Sequence, residues 1–136
     1  MAGTPPPDDL AERIIWDYAW FNREREPPPT WHPEGEFINA REDPDHAIHH
    51  GVEAIRKQHD GWFEAYPDLQ VEPVEVRVNG DHAFVWVHFA GHGADSGAAM
   101  EMQLAHVVTV DGEGRTLRVQ EYFDRGDGLR AAGFQE

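Results

Sequence analysis

The residues best suited to chemistry lie on either side of one short turn. Ala98 to Val110 alternates in character, Asp111-Gly-Glu-Gly114 follows, and Arg115 to Asp124 alternates again. Two alternating runs around a Gly-containing tetrapeptide predict a β-hairpin. Met100, Met102, Leu104, His106, Val108 and Val110 share one face of the first strand, and Leu117, Val119, Glu121 and Phe123 one face of the second. An imidazole and a carboxyl thus enter an otherwise apolar surface. A carboxyl on such a surface is costly unless paired, neutralised or used, and in use it serves as general acid or base. His106 is suited to hydrogen-bonding an enolate oxygen or relaying a proton. If Asp111–Gly114 is the whole loop, Val110 pairs with Arg115 and His106 with Val119. His106 and Glu121 are then diagonal neighbours, roughly 7–8 Å apart. A three-residue loop with a bulge would instead turn one strand over and split the pair.

The elements that position this pair begin after a Pro-rich arm at 1–7, expected to be frayed. Asp9 is an N-cap candidate with Glu12 three residues on, opening a helix to about Arg25. Leu10, Ile14, Tyr18 and Phe21 mark one face, and Trp16 and Trp20 another. Asp9, Arg13 and Asp17 form the polar stripe. Pro27–Pro29 ends that helix, Trp31–Glu34 reads as a turn, Glu36–Ala40 as a short strand, and 41–50 as a charged loop. Gly51 opens a second helix with Val52, Ile55, His59, Trp62, Phe63 and Tyr66 on one face, stopped by Pro67. Leu69–Asn79 alternates with a phase slip at Pro73, which predicts a bulge. His82–His92 is apolar on both faces. Ala83, Val85, Val87 and Phe89 form one, and Phe84 and Trp86 with His88 the other, so the strand is central or its outer face meets another subunit. Asp124 caps a last short helix with Leu129 and Ala132, stopped at Gly133. Helices followed by a strand meander predict one α+β domain over 8–136, with a strongly curved, mostly antiparallel sheet forming a cone around about three helices.

Composition narrows the partners. The 136 residues carry 26 acidic against 11 basic side chains, a formal charge of −15, which disfavours nucleic acid and anionic membranes. No cysteine is present, so thiolate zinc sites and thiol nucleophiles are excluded. The amino terminus lacks basic and apolar signal regions, and a cytoplasmic location is expected. Glu42, Asp43, Asp45, His46, His49 and His50 have no recognised ligand spacing and read as solvated loop charge, so no metal is expected.

The segments AREDPDHAIHHGVEAIRKQHDGWFEAYPDLQVEP, GDHAFVWVHFAGHGADSG and QLAHVVTVDGEGRTLRVQEYFDRGDGLRAAG resemble the SnoaL-like branch of the NTF2-like superfamily over roughly residues 8–134. Relatives include polyketide cyclases, ketosteroid isomerases and limonene epoxide hydrolases, so the resemblance implies the cone fold more firmly than any reaction. Gln120–Asp124 is similar to the epoxide hydrolase motif, with Glu121 in place of its first acid. The cyclases have an acid and a histidine at positions matching Glu121 and His106. The isomerase base would fall at Glu42 or Asp43. The hydrolases' Arg and further Asp have no counterpart in residues 83–90, which disfavours that activity.

The expectation is an acid/base enzyme of cyclase or isomerase type, needing no cofactor and acting on a small hydrophobic, carbonyl-bearing molecule. Glu121 would be its base and His106 its proton or oxyanion partner. Tyr18, Trp20, Trp62, Val87, Phe89, Met102 and Leu104 would line the pocket, and a homodimer is expected. A non-catalytic ligand-binding or dimerisation module is the alternative.

Overall fold

A computed structural model of the protein describes residues 5–135. In chain order the elements are α1 (Leu10–Glu24), β1 (Trp31–Ile38), β2 (Ile48–His50), α2 (Val52–Ala65), β3 (Gln70–Asn79), β4 (His82–His92), β5 (Ala99–Val110), β6 (Thr116–Tyr122) and α3 (Arg125–Ala131). The strands form one open sheet in the order β2-β1-β6-β5-β4-β3. All neighbours are antiparallel except β1 and β6, which run parallel. This is the expected α+β arrangement. The arm expected over 1–7 falls partly outside the described residues, and 5–7 carry no regular structure.

Local chemistry explains the helix ends. The Asp9 carboxylate accepts from the Glu12 backbone N–H at 3.0 Å, satisfying one of the orphan donors of the first turn. Arg25 closes α1 in the left-handed region at φ 63°, and the prolines that follow prevent continuation. The polar stripe of α1 is partly buried. Arg13 is buried, donating to Gly114 O and to Thr116 Oγ1 (2.9 Å), with Asp17 at 3.2 Å. The guanidinium thereby ties the first helix to the β5–β6 turn and satisfies groups that burial would otherwise orphan.

Three other expectations are corrected. Residues 31–34 are strand rather than turn, and 48–50 form β2 within the segment read as a charged loop. β2 pairs Ile48, His49 and His50 with Ile38, Phe37 and Glu36. It is a short strand made by its partner, with no periodicity of its own to announce it. The third correction is the hairpin register. Val110 pairs with Thr116 and Thr109 with Arg118, with an irregularity between them, so His106 lies directly opposite Glu121. The Asp111 carboxylate accepts from the backbone N–H groups of Glu113 and Arg115 and lengthens the turn. Gly114 takes φ 82°, a conformation that favours glycine. The bulge restores the phase of the strand, so the acid and imidazole keep a common face. The slip expected at Pro73 is present between Pro73 and Glu75.

The sheet is covered on both sides. On the concave side α1 and α2 pack over Phe37, Val71, Val85, Val87, Leu104, Val108 and Val119. On the other, Phe84, Ala105 and Val107 pack against Leu129 of α3 and Ala132 just after it. Gly128 permits that approach, because a Cβ there would stand 2.5 Å from the Ala105 Cβ. The Arg125 guanidinium lies 5.1 Å from the Phe84 ring centroid and 5.4 Å from that of Trp86. The cover that Phe84 requires therefore comes from this chain's own last helix rather than from a second subunit.

Candidate active site

Glu121 and His106 are 4% and 3% exposed. The cross-strand pairing places His106 Nε2 3.1 Å from Glu121 Oε2. The other imidazole nitrogen, Nδ1, lies 2.6 Å from the Tyr18 hydroxyl of α1. Asn39, just beyond β1, donates from Nδ2 to Glu121 Oε1 at 3.4 Å, and its Oδ1 lies 3.0 Å from His49 Nε2. One assignment satisfies every member. Tyr18 O–H donates to His106 Nδ1, and Nε2–H donates to the Glu121 carboxylate. Asn39 donates to the second carboxylate oxygen, and His49 Nε2–H donates to Asn39. Glu121 is the acceptor on which two donor chains converge.

Sheet geometry and aromatic packing hold this network. The His106 ring is met edge-on by Phe37 (5.6 Å between centroids) and Phe89 (5.9 Å), which fix its plane. His46 Nδ1 lies 2.9 Å from the Asn39 carbonyl oxygen, pinning the backbone that presents the Asn39 amide. Burial raises the Tyr18 hydroxyl well above its ordinary pKa, with the carboxylates of Asp17 and Glu121 adding to the effect, so it remains a donor.

The network separates two chambers. The inner one, of about 70 Å³, is lined by Tyr18, His106, His59 and Asp17 among Phe21, Trp31, Phe37, Trp62 and Phe89. The outer one, of about 120 Å³, is lined by Glu121, Asn39 and Asp43 with Leu69, Met100, Met102, Leu104 and Phe123. Trp62 and Phe89 line both. Glu121 thus faces one chamber and Tyr18 the other, with the His106 ring between them.

Of the residues expected to form the pocket, Tyr18, Trp62 and Phe89 line the inner chamber, and Met102 and Leu104 the outer. Val87 is fully buried in the core and lines neither. Trp20 is directed elsewhere. It stacks on Trp16 and borders an open groove with Pro27–Pro29, because the Trp16/Trp20 face of α1 is rotated away from the face that carries Tyr18 and Phe21. Asp43 borders the outer chamber and Glu42 does not.

Three polar site residues escape the sequence reading. Asn39 follows Phe37 at strand spacing, and that alternation could have placed it on the inner face. Asp17 figures in the sequence reading only as part of the polar stripe. Burial raises its carboxyl to about 6, against the opposing pull of Arg13 and a 2.7 Å hydrogen bond from Thr30 Oγ1. His59, expected only on an apolar helix face, is 5% exposed, and burial lowers it to about 3, with the Arg56 charge acting in the same direction. Among the described residues no group of His, Asp and Glu is arranged to hold a metal ion, and no helix is long and apolar enough to cross a membrane.

The comparisons with known proteins agree with this architecture. A protein assigned as a SnoaL-like polyketide cyclase from Jannaschia sp. CCS1 superposes with a TM-score of 0.67 at 19% identity, over 97% of this chain and 96% of that one. A protein of ketosteroid isomerase-like fold from Catenulispora acidiphila DSM 44928, in complex with trimethylamine, gives 0.66 at 17% over 93% and 94%. An NTF2-like protein of unknown function from Burkholderia pseudomallei K96243 gives 0.68 at 16% over 92% and 98%. At these identities the likeness is one of fold. No curated protein matches the chain. The SnoaL-like domain family, however, matches residues 28–119, from the end of the α1 connection to the strand that carries Glu121. The chain belongs to the SnoaL-like domain family and adopts its NTF2-like cone.

Proposed function

We propose that the protein is an acid/base enzyme of cyclase or isomerase type acting on a small hydrophobic, carbonyl-bearing molecule. The observation that carries this reading is a buried carboxylate and a buried phenol joined through opposite nitrogens of one imidazole, each facing an apolar chamber. Glu121 removes a proton next to the carbonyl of a substrate in the outer chamber, and negative charge develops on the carbonyl oxygen, to which His106 Nε2–H turns from Glu121 Oε2 and donates, while the Tyr18 O–H holds Nδ1 of the same ring. Asn39 keeps the Glu121 carboxylate oriented, and the exclusion of water strengthens each of these interactions. The protein's own acid and base carry this proton transfer, so no cofactor is invoked.

The test is turnover of a panel of enones and 1,3-dicarbonyl compounds, followed by loss of carbonyl absorbance and by NMR. Glu121→Gln and His106→Ala should each reduce turnover of the compound that reacts by roughly 10²-fold or more. Full turnover in both variants would overturn the reading.

One observation favours a second reading. Both Glu121 oxygens already have partners in the resting structure, as they would in a non-catalytic binding module. That reading predicts ligand binding without turnover, and affinity nearly unchanged in Glu121→Gln. A homodimer remains part of the proposal, to be tested by light scattering at micromolar concentration.

A further inference from the structure

Asp17 is an ionisable group facing the inner chamber that the proposed chemistry does not use. It sits one residue before Tyr18 on α1, and both line the chamber with Thr30, His59, His106 and Thr116. Its side chain is 15% exposed. The Thr30 hydroxyl bonds Asp17 Oδ1 at 2.7 Å, and Arg13 Nε donates to Oδ2 at 3.2 Å. Thr30 and Arg13 also border an open groove beneath the β5–β6 turn. Thr30 thus lies between that groove and the chamber, with Asp17 bonded to it.

The hydrogen bonds of the site show why a proton source is needed there. If His106 gives its Nε2 proton to an enolate oxygen, it is left as an imidazolate unless Nδ1 gains a proton at the same time. A buried, unpaired anion of that kind is costly. Tyr18 O–H, 2.6 Å from Nδ1, is placed to supply that proton. Doing so alone would leave a phenolate, which burial and the carboxylates of Asp17 and Glu121 oppose. Tyr18 must therefore be resupplied from the chamber behind it. His59 is not the source, because burial keeps it neutral and its Nδ1 has no hydrogen-bond partner among the described residues. Asp17 suits the task. Burial raises its carboxyl to about 6, so a fraction is protonated near neutral pH, while Arg13 and Thr30 accommodate the carboxylate that remains. The chamber, of about 70 Å³, has room for ordered water between Thr30 and Tyr18.

We propose that Asp17 is a proton reservoir for the active site, reloading His106 through Thr30, water in the inner chamber and Tyr18. This role rests on the acid/base reading above and supplies the proton that reaches the substrate oxygen. Glu121 takes the proton of the α-carbon, and the C–H bonding pair moves into the enolate. The enolate oxygen takes the Nε2 proton of His106, Nδ1 takes the Tyr18 proton, and Tyr18 takes one from water. The water is replenished by the Thr30 hydroxyl, and Thr30 by Asp17 Oδ1–H, since a hydroxyl both donates and accepts. His106 ends neutral with its proton on Nδ1. Asp17 ends as a carboxylate beside Arg13, and the groove at Thr30 returns the proton from solvent.

The experiment measures release of tritium from α-tritiated acetone and cyclopentanone by the full chain, in mixtures of light and heavy water. Several protons moving together make the rate fall along a curve as the deuterium fraction of the solvent rises, whereas a single moving proton gives a straight line. The unaltered protein should give the curve, a readout that needs no variant to fold. Asp17→Asn and Tyr18→Phe should each slow release about tenfold and straighten the plot. The double variant should be no slower than the slower single one, because both changes interrupt one path. A straight line in the unaltered protein, full rate in folded Asp17→Asn, losses that multiply in the double variant, or release from neither ketone would overturn the proposal. Glu121→Gln separates the two claims. Release lost there but unchanged in Asp17→Asn removes the reservoir alone. Release that survives in Glu121→Gln yet falls in Asp17→Asn removes the base and leaves the reservoir.

Discussion

His106 and Glu121 stand directly opposite each other across the β5–β6 ladder, with Nε2 3.1 Å from Oε2, and both side chains are buried. Direct opposition has an energetic consequence that a diagonal arrangement lacks. Each group supplies part of what lets the other tolerate burial, so removing one leaves its partner with an unmet hydrogen bond. Replacing either by Leu should therefore cost about 3 kcal/mol of unfolding free energy. Replacing both should cost clearly less than the sum of the single losses, with a coupling of about 2 kcal/mol, since neither member of the pair then strands the other, while Tyr18 and Asn39 lose their acceptors in the single and double variants alike. Urea unfolding of the two single variants and the double variant measures this cycle. Additivity would show that the pair is not energetically joined.

Position 128 gives a case where a local rule and a tertiary contact oppose each other. A glycine inside a helix normally gains about 1 kcal/mol on change to Ala. Here the new methyl would meet the Ala105 Cβ at 2.5 Å and the Phe84 ring at 3.3 Å, and the former is fixed to the β5 backbone. Overpacking of this kind costs about 1–3 kcal/mol, so the contact outweighs the propensity. Gly128→Ala should be destabilising and should loosen α3 from Phe84, which thermal unfolding and near-ultraviolet dichroism would register. A stabilised variant would show that α3 seats differently.

Acid stability should depend on His59. Its folded value, lowered to about 3, lies below the 6.5 of an unfolded chain, so the unfolded state binds the extra proton between those limits. Stability from this group is therefore complete above about 6.5 and is lost as pH falls toward 3. Between pH 7 and 4.5 the loss is roughly 2–3 kcal/mol. Asp17 works in the opposite sense. Its folded value, raised to about 6, favours the folded state as pH falls from about 6 toward 4. Comparing unfolding free energies at pH 7 and 4.5, His59→Phe should lose less stability on acidification than the unaltered protein. An identical loss would assign the acid sensitivity to other groups.

How far the site was legible in the chain differs by residue. His106 and Glu121 stood out because a period of two put them on otherwise apolar faces, and parity survives because the longer turn and the one-residue bulge together move the partner by two positions. The same parity did not give the register, which the Asp111 side chain sets by bonding two backbone donors in the turn. Tyr18 was visible on the inner face of α1. Arg13 and Asp17 were not, because a polar stripe on a helix does not show which tertiary groups it meets. Only the fold brings Gly114 O, Thr116 and Thr30 within reach of them. β2 carries three residues with no alternation of their own, and exists as the partner of Glu36–Ile38. The apolar second face of β4 correctly announced a need for cover, but a sequence pattern cannot distinguish a subunit from seven residues of the same chain's last helix. His59 resembles any core-facing helical residue, and only its missing partner sets it apart.

The claim that Glu121 is a base acting next to a carbonyl is tested most directly by proton exchange. A panel of small cyclic ketones and 1,3-diketones would be incubated with the protein in heavy water, and deuterium entry at the α-carbon followed by NMR. The protein should accelerate exchange of at least one member over buffer, and Glu121→Gln should remove that acceleration by roughly 10²-fold while the fold is retained. No acceleration for any member, or equal acceleration by Glu121→Gln, would contradict the assignment of Glu121 as the base.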